Sequence, residues 1–298
     1  MGVVTSGVAV PTQNLEPQRG RSLLAPVVIT AASGWLGTTL HARLGASSLE
    51  VRNVDRPGDL AVACRDASAV VHLEDGVLSG AARRSTARTI FETAEAVVDG
   101  VAGSAVERLV FISNVGASPR ARTDYLRATA NAEACLHACR RDMVIFRCTH
   151  VFGPPDDPGE TVEALRADGR QRVVVIGSGG QRVAPVYRDD VVDAIVAALD
   201  PRNYHGRFDL PGPEEMRLDQ FARAVNREAV AIRHVPRQAA RLMRSTAHLR
   251  HELIDLLAMD SVGEQARAAR TFGLVRRAVS DVYWADGSDS SSSPSASA

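Results

Sequence analysis

A short glycine-containing loop holds the residues best suited to bind a charged ligand. Residues 27–30 favour a β-strand. Ala31, Gly34 and Gly37 follow at the spacing G-x-x-G-x-x-G, with alanine in the first place, and residues 38–44 favour a helix. Backbone N–H groups and a positive helix end at such a junction can hold a pyrophosphate. Glycine is preferred because a Cβ blocks close approach of the backbone. The spacing predicts a phosphate-binding loop, although a plain strand–helix turn is the alternative.

An acidic residue at a suitable distance favours a dinucleotide as the ligand. Residues 49–55 favour a second strand that ends at Asp55. In a dinucleotide-binding fold an acid about 20 residues beyond the glycines bonds the ribose 2′-OH. Arg56 follows and is able to meet a 2′-phosphate, which Asp55 would repel. We therefore predict NAD as the cofactor, with NADP possible, and a polar turn as the alternative interpretation of Asp55 and Arg56.

The elements that must position this loop alternate between strands and helices. Further strands are expected at 69–73, 108–113 and 143–147, separated by helical patterns. This alternation predicts an α/β fold, a doubly wound parallel sheet of the Rossmann type with ligands at the strand carboxyl ends. The predicted organisation is a disordered arm (1–25), a dinucleotide-binding core (26–155), a smaller C-terminal α/β lobe with some segments returning to the core (156–284) and a disordered Ser-rich tail (285–298).

Composition narrows the classes of partner and chemistry. The 298 residues carry 35 basic and 35 acidic side chains, so no basic field favours nucleic acid. The chain has no lysine, which is typical of a GC-rich bacterial genome and excludes any mechanism that uses one. The four cysteines lack the spacing of a redox pair or of a zinc site, so no metal is predicted. We interpret them as small packing residues in a reducing cytoplasm. No apolar run approaches the ~20 residues of a membrane span.

Several further motifs occur in a fixed order along the chain. They are Thr30-x-x-Ser33-Gly34-Trp35-Leu36-Gly37, Val70-Val71-His72-Leu73, Arg108-Leu109-Val110-Phe111-Ile112-Ser113, Tyr125-Leu126-Arg127-Ala128, Arg147-Cys148-Thr149-His150-Val151-Phe152-Gly153-Pro154, Val186-Tyr187-Arg188-Asp189-Asp190-Val191-Val192 and Gly206-Arg207-Phe208-Asp209-Leu210-Pro211-Gly212-Pro213. In this order they are similar to the motifs of extended or atypical short-chain dehydrogenases/reductases, in the NAD-dependent epimerase/dehydratase and NmrA-like branch.

The resemblance implies an NAD(P)-binding oxidoreductase or epimerase-like enzyme with altered catalytic residues. The catalytic tyrosine of the family corresponds to Tyr125, for which a half-buried tyrosine that only opens a helix is the alternative interpretation. Thr129 stands where the family has its lysine. That lysine helps lower the pKa of the tyrosine, since a phenol titrates near 10 and is a poor base at neutral pH. Asn114 falls where the family places a helper serine or threonine. Glu74 stands where the family usually has alanine or glycine, and is a candidate acid or base in place of the lost couple.

Positions in the predicted fold, together with the motifs, indicate which residues contact the ligands. Thr149 and His150 are expected in the substrate pocket, where the histidine either transfers protons or only lines the wall. Arg182 is the candidate for an acidic substrate group, and His72 is expected to be a core histidine. The implied cofactor contacts are Thr30, Ala31, Ser33, Gly34, Trp35, Leu36, Gly37, Asp55, Arg56, Asp59, Leu60 and Ser113.

Two classes of function remain open at this point. The first is an enzyme acting on a small hydroxyl or carbonyl metabolite, with Tyr125 as the proton donor and Asn114 or Glu74 assisting. The second is a non-catalytic nucleotide-binding sensor, assembly factor or accessory subunit that keeps the fold. Either would be a monomer or a homodimer. The missing lysine favours the second class, and the retained Tyr125, Asp55 and glycines favour the first.

Overall fold

The computed structural model describes residues 25–47, 49–73, 87–200, 205–227, 229–247 and 250–284. Predictions that fall on other residues lie outside this described part. They concern Glu74, the arm up to residue 24, the tail from residue 285 and the start of the helical pattern at 81–100.

Strands and helices alternate through the first half of the chain, as predicted. The strands are β1 Val27–Thr30, β2 Val51–Val54, β3 Ala69–His72, β4 Arg108–Asn114, β5 Asp142–Cys148, β6 Val151–Phe152, β7 Arg172–Ile176, β8 Arg182–Val183, β9 Val186–Tyr187, β10 Gly206–Leu210, β11 Met216–Arg217 and β12 Ala231–Val235. The helices are α1 Trp35–Gly45, α2 Leu60–Cys64 after a 3₁₀ turn at Pro57–Asp59, α3 Ala87–Val101, α4 Asp124–Ala138, α5 Glu160–Glu163, α6 Arg188–Ala198, α7 Leu218–Asn226, α8 Arg237–Ala247, α9 His251–Leu257, α10 Arg267–Phe272 and α11 Val279–Tyr283.

Six parallel strands form the central sheet, in the spatial order β10-β5-β4-β3-β1-β2. The inner strands β1, β3 and β4 are rich in apolar residues and are buried along their whole length, as parallel sheets covered by helices require. Strand β4 shows this alternation. Leu109 and Phe111 belong to one apolar core, whereas Val110 and Ile112 belong to the core on the opposite face. Helices α2, α3 and α4 pack together on the first face, and α1, α6 and α10 on the second. The predicted doubly wound parallel sheet is confirmed.

Helix α4 shows why a helix starts where the catalytic tyrosine is predicted. Thr123 precedes it with extended backbone, and its side chain accepts a hydrogen bond from the Leu126 N–H at 3.2 Å. Asp124 in the first turn suits the positive helix end. The helix therefore begins at Asp124 and places Tyr125 in its first turn, next to the carboxyl ends of β4 and β5.

The second half of the chain adds small sheets and also returns to the central one. Strands β7 and β12 pair in parallel, β8 and β11 pair antiparallel, and β6 pairs with β9. Strand β10 joins β5 at the edge of the central sheet, and α6 packs against α1. Sequence patterns alone had not predicted β10 as a strand. No helix in the described ranges is long and apolar enough to cross a membrane.

Candidate active site

The turn after β1 has the backbone conformation that glycine prefers, although its residue is alanine. Ala31 has φ +50°, in the left-handed region that L-residues rarely occupy. Its N–H donates to the Val54 carbonyl oxygen at 3.1 Å, and its own carbonyl accepts from the Gly34 N–H at 3.0 Å. These two hydrogen bonds hold the turn, so alanine in the first glycine position does not change the path of the loop.

The start of α1 is open to an anion. Gly34 precedes the helix with extended backbone, no described side chain caps it, and its first turn carries no acid. The N–H groups of that turn and the helix dipole therefore face outward, as phosphate binding requires. Gly37 packs onto the loop itself: a Cβ there would lie 2.6 Å from the Ala31 carbonyl oxygen and 2.7 Å from the Ala32 Cα. Glycine at position 37 is therefore required by close packing of helix on loop.

The structure brings the loop and the predicted ribose acid together. The Ser33 N–H donates to Asp55 Oδ1 at 3.1 Å, at an exposed site just beyond β2. Arg56 and Asp59 are exposed next to it. The Leu60 side chain is buried in the apolar core against Gly100 of α3. Of the two residues at 59 and 60 that are predicted to contact the cofactor, Asp59 is exposed and Leu60 is buried, and both contacts stay predictions.

Thr30 and His72 join the carboxyl ends of β1 and β3. The Thr30 hydroxyl lies 2.8 Å from His72 Nδ1 and accepts a hydrogen bond from the Leu73 N–H at 3.1 Å. The His72 ring stacks on Phe111 with centroids 5.2 Å apart. Burial lowers the pKa of the His72 imidazole to about 4, so the ring is neutral at neutral pH. This arrangement favours the expected core histidine, although its Nε2 has no partner among the described residues.

Trp35 links the nucleotide loop to the segment that leaves the core. Its indole packs so closely on Gly153 and Gly159 that a Cβ at either glycine would lie 2.6 or 2.7 Å from the ring. The Arg188 guanidinium lies over the same ring, 5.1 Å from its centroid, and pairs with Asp157. The indole of Trp35 therefore acts as a wall between α1 and residues 153–159, and its predicted contact with a cofactor remains a prediction.

A buried ionic cluster, which the sequence did not indicate, joins α4 to β4, β5 and β10. Glu133 is only 4% exposed. Its carboxylate accepts from the Ser113 hydroxyl at 2.5 Å and from Arg147 Nε and a terminal nitrogen of Arg147 at 2.8 and 2.7 Å. Arg207 approaches it at 3.3 Å. The Ser113 hydroxyl thus bonds to Glu133, and its predicted contact with a cofactor stays a prediction. The sequence does contain a signal for this cluster: an acidic residue on the apolar side of a helix and an arginine in a buried strand.

The surroundings of the predicted catalytic tyrosine are buried. Tyr125 is 3% exposed and belongs to the same apolar core as Phe111. Thr129 lies one turn further along α4, and its hydroxyl donates to the Tyr125 carbonyl oxygen at 3.0 Å. The Thr129 hydroxyl therefore bonds within the helix, whereas the lysine that the family has at this position would extend away from the helix. Asn114 is buried at the end of β4, opposite Cys148 of β5.

The predicted substrate residues separate into two places. Thr149 and His150 follow β5 and are buried; the Thr149 hydroxyl donates to the Ala184 carbonyl at 2.5 Å. Burial lowers the pKa of the His150 imidazole to about 4, and its Nε2 has no described partner. Arg182 is exposed and pairs with Glu215 at 2.5 Å. Nothing in the described contacts joins Arg182 to Thr149 or His150, so an acidic substrate group there would compete with Glu215.

Comparison with known proteins assigns the chain to a class. The model of the NAD dependent epimerase/dehydratase family matches residues 27–208. The chain therefore belongs to this family, which confirms the resemblance drawn from the motifs and, at the level of the family, the oxidoreductase or epimerase class. No curated protein is similar enough in sequence to count as a match.

Solved structures share the fold at low sequence identity. The chain is similar to UDP-glucuronic acid 4-epimerase from Bacillus cereus in complex with UDP-glucuronic acid and NAD, at 16% identity and TM-score 0.67, covering 87% of this chain and 97% of that one. It is similar to the Citrobacter sp. triphenylmethane reductase complexed with NADP(H), at 13% identity and TM-score 0.67, covering 87% and 99%. It is also similar to UDP-glucose 4-epimerase from Thermotoga maritima with UDP-glucose, at 15% identity and TM-score 0.63, covering 85% and 94%.

Proposed function

We propose that the chain is an NAD(P)-dependent oxidoreductase or epimerase-like enzyme that acts on a small hydroxyl or carbonyl metabolite with altered catalytic residues. The observation that carries this proposal is the loop between β1 and α1. There, a left-handed turn at Ala31, an uncapped helix start and close packing at Gly37 form a cradle for a pyrophosphate. These three features support nucleotide binding, and the retained Tyr125 is what favours an enzyme over a protein that only binds the nucleotide.

The preferred cofactor in this proposal is NAD, with NADP possible. The N–H groups of residues 35–37, in the first turn of α1, would hold the pyrophosphate. Asp55 would accept a hydrogen bond from a ribose 2′-OH. Its carboxylate already accepts from the Ser33 N–H, so a 2′-phosphate would meet a negative charge and lose a backbone donor. Arg56 is the residue that would favour NADP. Among structures with this fold, the Bacillus cereus epimerase holds NAD and the Citrobacter reductase NADP(H).

Bound NAD would supply the hydride acceptor or donor, and the chain's own residues would handle the proton. Tyr125 would hold the proton of the substrate hydroxyl, and the Asn114 amide would donate a hydrogen bond to the reacting oxygen. Thr129 contributes no charge, and its hydroxyl is bonded to the Tyr125 carbonyl. Glu74, the further candidate acid or base, lies outside the described residues.

The structures with this fold, the cysteines and the composition support proposals for the substrate, the location and the source of the protein. Thr149 and His150 would line the substrate side, and nucleotide sugars are the first compounds to test because two structures of this fold bind UDP-glucuronic acid or UDP-glucose. All four cysteines are free thiols, which supports a cytoplasmic location. The lysine-free composition supports a bacterial source. The proposed protein is a monomer or homodimer without a nucleic-acid partner.

The test combines calorimetric titration of NAD+, NADH, NADP+ and NADPH with turnover assays on hydroxyl and carbonyl compounds. Tyr125→Phe removes only the phenolic hydroxyl, so activity should fall ~10²–10⁴-fold while nucleotide binding persists. Tyr187→Phe is the matched control, because Tyr187 is also a buried tyrosine but was given no catalytic role. Full activity in Tyr125→Phe would move the chemistry to Glu74 or His150.

Thr129→Lys tests the missing charge. Positions 125 and 129 share a helix face, so a lysine there would place a positive charge near Tyr125. Activity of the unmodified chain should rise toward alkaline pH, and the variant should lower that optimum and raise turnover.

The second candidate function is a nucleotide-binding protein without catalysis. The observation in its favour is the Thr129 hydroxyl, which is used within the helix. Nucleotide binding without turnover in both the unmodified chain and Thr129→Lys would favour this second function.

A further inference from the structure

A groove of about 730 Å³ runs along α4 at the edge of the central sheet, apart from the nucleotide loop. Its walls are one face of α4, the side chains of β5 that point toward α4, the start of β10 and the loop at residues 117–119. Its volume lies in the range of ligand pockets. The nucleotide loop precedes α1, which packs on the opposite face of the sheet, and β1 is separated from β5 by two strands.

The groove has more positive than negative charge available to a ligand. Three arginines, Arg141, Arg147 and Arg207, line it together with two acids, Glu133 and Asp142. The Glu133 carboxylate is already bonded to Ser113 and doubly to Arg147. Arg207 makes only a 3.3 Å approach to that carboxylate, and its side chain is 57% exposed. The Arg207 guanidinium therefore has N–H donors that Glu133 does not use, and these donors are suited to a carboxylate or phosphate ligand.

Part of the remaining wall is apolar. Ala130 and Ala134, one turn apart on α4, and Met143 and Ile145 of β5 line this part of the groove. Small side chains on the helix leave room next to buried apolar side chains of the sheet. Such a surface packs against an apolar ring or short hydrocarbon group, while the arginines bind a charge at its end.

We propose that this groove is a second ligand site, which binds a small organic anion with a carboxylate or phosphate attached to an apolar body. Arg207 binds the charge, Arg147 is held in place by Glu133, and the alanine-lined wall of α4 contacts the apolar part. The site is independent of the cofactor and of the proposed reaction. It also touches the ionic cluster that joins α4, and hence Tyr125, to β4 and β5.

The experiment is calorimetric titration of the full chain with three probes, with and without saturating NAD. Benzoate carries both the charge and the ring, benzamide only the ring, and inorganic phosphate only a charge. Benzoate should bind more tightly than either of the others, and NAD should not displace it. Displacement by NAD would place benzoate in the nucleotide site and overturn the proposal, as would the absence of benzoate and phosphate binding.

Two pairs of variants locate the site. Arg207→Gln should weaken benzoate binding about tenfold, as expected for loss of one charge-assisted hydrogen bond. Arg267→Gln is its control, since Arg267 lies over Phe208 on the opposite face of β10. Ala134→Phe should fill the groove and abolish binding without removing a charge. Ala138→Phe, at an exposed position one turn further along α4 that does not line the groove, should leave binding unchanged. Unchanged benzoate affinity in both Arg207→Gln and Ala134→Phe would refute the assignment.

Discussion

The close packing of Gly37 on the loop between β1 and α1 predicts that alanine is unfavourable at this position, although alanine favours a helix. Gly37 and Gly45 lie on the same helix, α1. A Cβ at Gly37 would lie 2.6–2.7 Å from backbone atoms of Ala31 and Ala32, whereas a Cβ at Gly45 would meet nothing within 4 Å. Gly37→Ala and Gly45→Ala are therefore the same chemical change in two different environments.

The expected difference in stability follows from these contacts. Either substitution gains about 1 kcal/mol of helix propensity at most. At Gly37 the Cβ falls well short of the 3.4 Å of ordinary contact, and the neighbours are backbone atoms that cannot rotate away. Overpacking of this kind costs about 1–3 kcal/mol. The free energies of unfolding of the two variants should therefore differ by about 1–3 kcal/mol, with Gly45→Ala the more stable.

Nucleotide binding should separate the two variants further. Relief of the clash at Gly37 requires α1 to move away from Ala31, which displaces the N–H groups of the first helical turn. We expect NAD affinity to fall at least about tenfold in Gly37→Ala, the loss for one weakened charge-assisted hydrogen bond, and to stay unchanged in Gly45→Ala. Urea denaturation and calorimetric titration measure the two quantities. Equal stability and equal NAD affinity in the two variants would refute both the packing argument and the location of the site.

Three further predictions test other parts of the structure. Asp55→Ala should reduce the preference for NAD in competitive titrations, and tighter binding of NADP+ than NAD+ by the unmodified chain would show that Arg56 decides the preference. Burial lowers the pKa of His150 to about 4, so between pH 6.5 and 4 this histidine binds a proton in the unfolded chain but not in the folded one. The free energy of unfolding should therefore decrease as the pH falls from 6.5 toward 4. His150→Asn should flatten this slope by up to about 1.4 kcal/mol per pH unit in denaturation at several pH values, and an unchanged slope would contradict the buried neutral ring. Glu133→Ala should lower the free energy of unfolding by about 3–5 kcal/mol, because Arg147 would lose its buried partner, and Glu133→Gln should lower it by less. Equal small losses in the two variants would show that the ion pair contributes little to stability.

The fold and the nucleotide loop could be predicted because their signals are local in the sequence. Alternating apolar strands and amphipathic helices define the sheet. The spacing from Ala31 to Asp55 brings the loop and the acid to neighbouring strand ends, where the Ser33 N–H meets Asp55. Strand β10 had no such signal. It lies at the sheet edge and alternates polar with apolar residues, and its pairing with β5 depends on the return of the chain after α6.

The side-chain partners in the candidate site depended on packing between distant segments. The bond from the Ser113 hydroxyl to Glu133, on the next helix, was not predicted. The burial of Leu60 in the core and the pairing of Arg182 with Glu215 were not predicted either. In each case a partner far along the chain decides the position, and no pattern within a single sequence window contains that partner.

This contrast also explains why binding is better supported than catalysis in this chain. The proposed pyrophosphate cradle consists of backbone N–H groups, a left-handed turn and a glycine without a Cβ, and the left-handed turn is kept with an alanine at position 31. The proton chemistry needs particular side chains. Thr129 replaces the lysine and bonds within α4, and Ser113 is bonded to Glu133. Tyr125 and Asn114 are therefore the polar side chains on which the proposed reaction depends among the described residues. Turnover that survives the loss of the Tyr125 hydroxyl would have to use chemistry outside this pair.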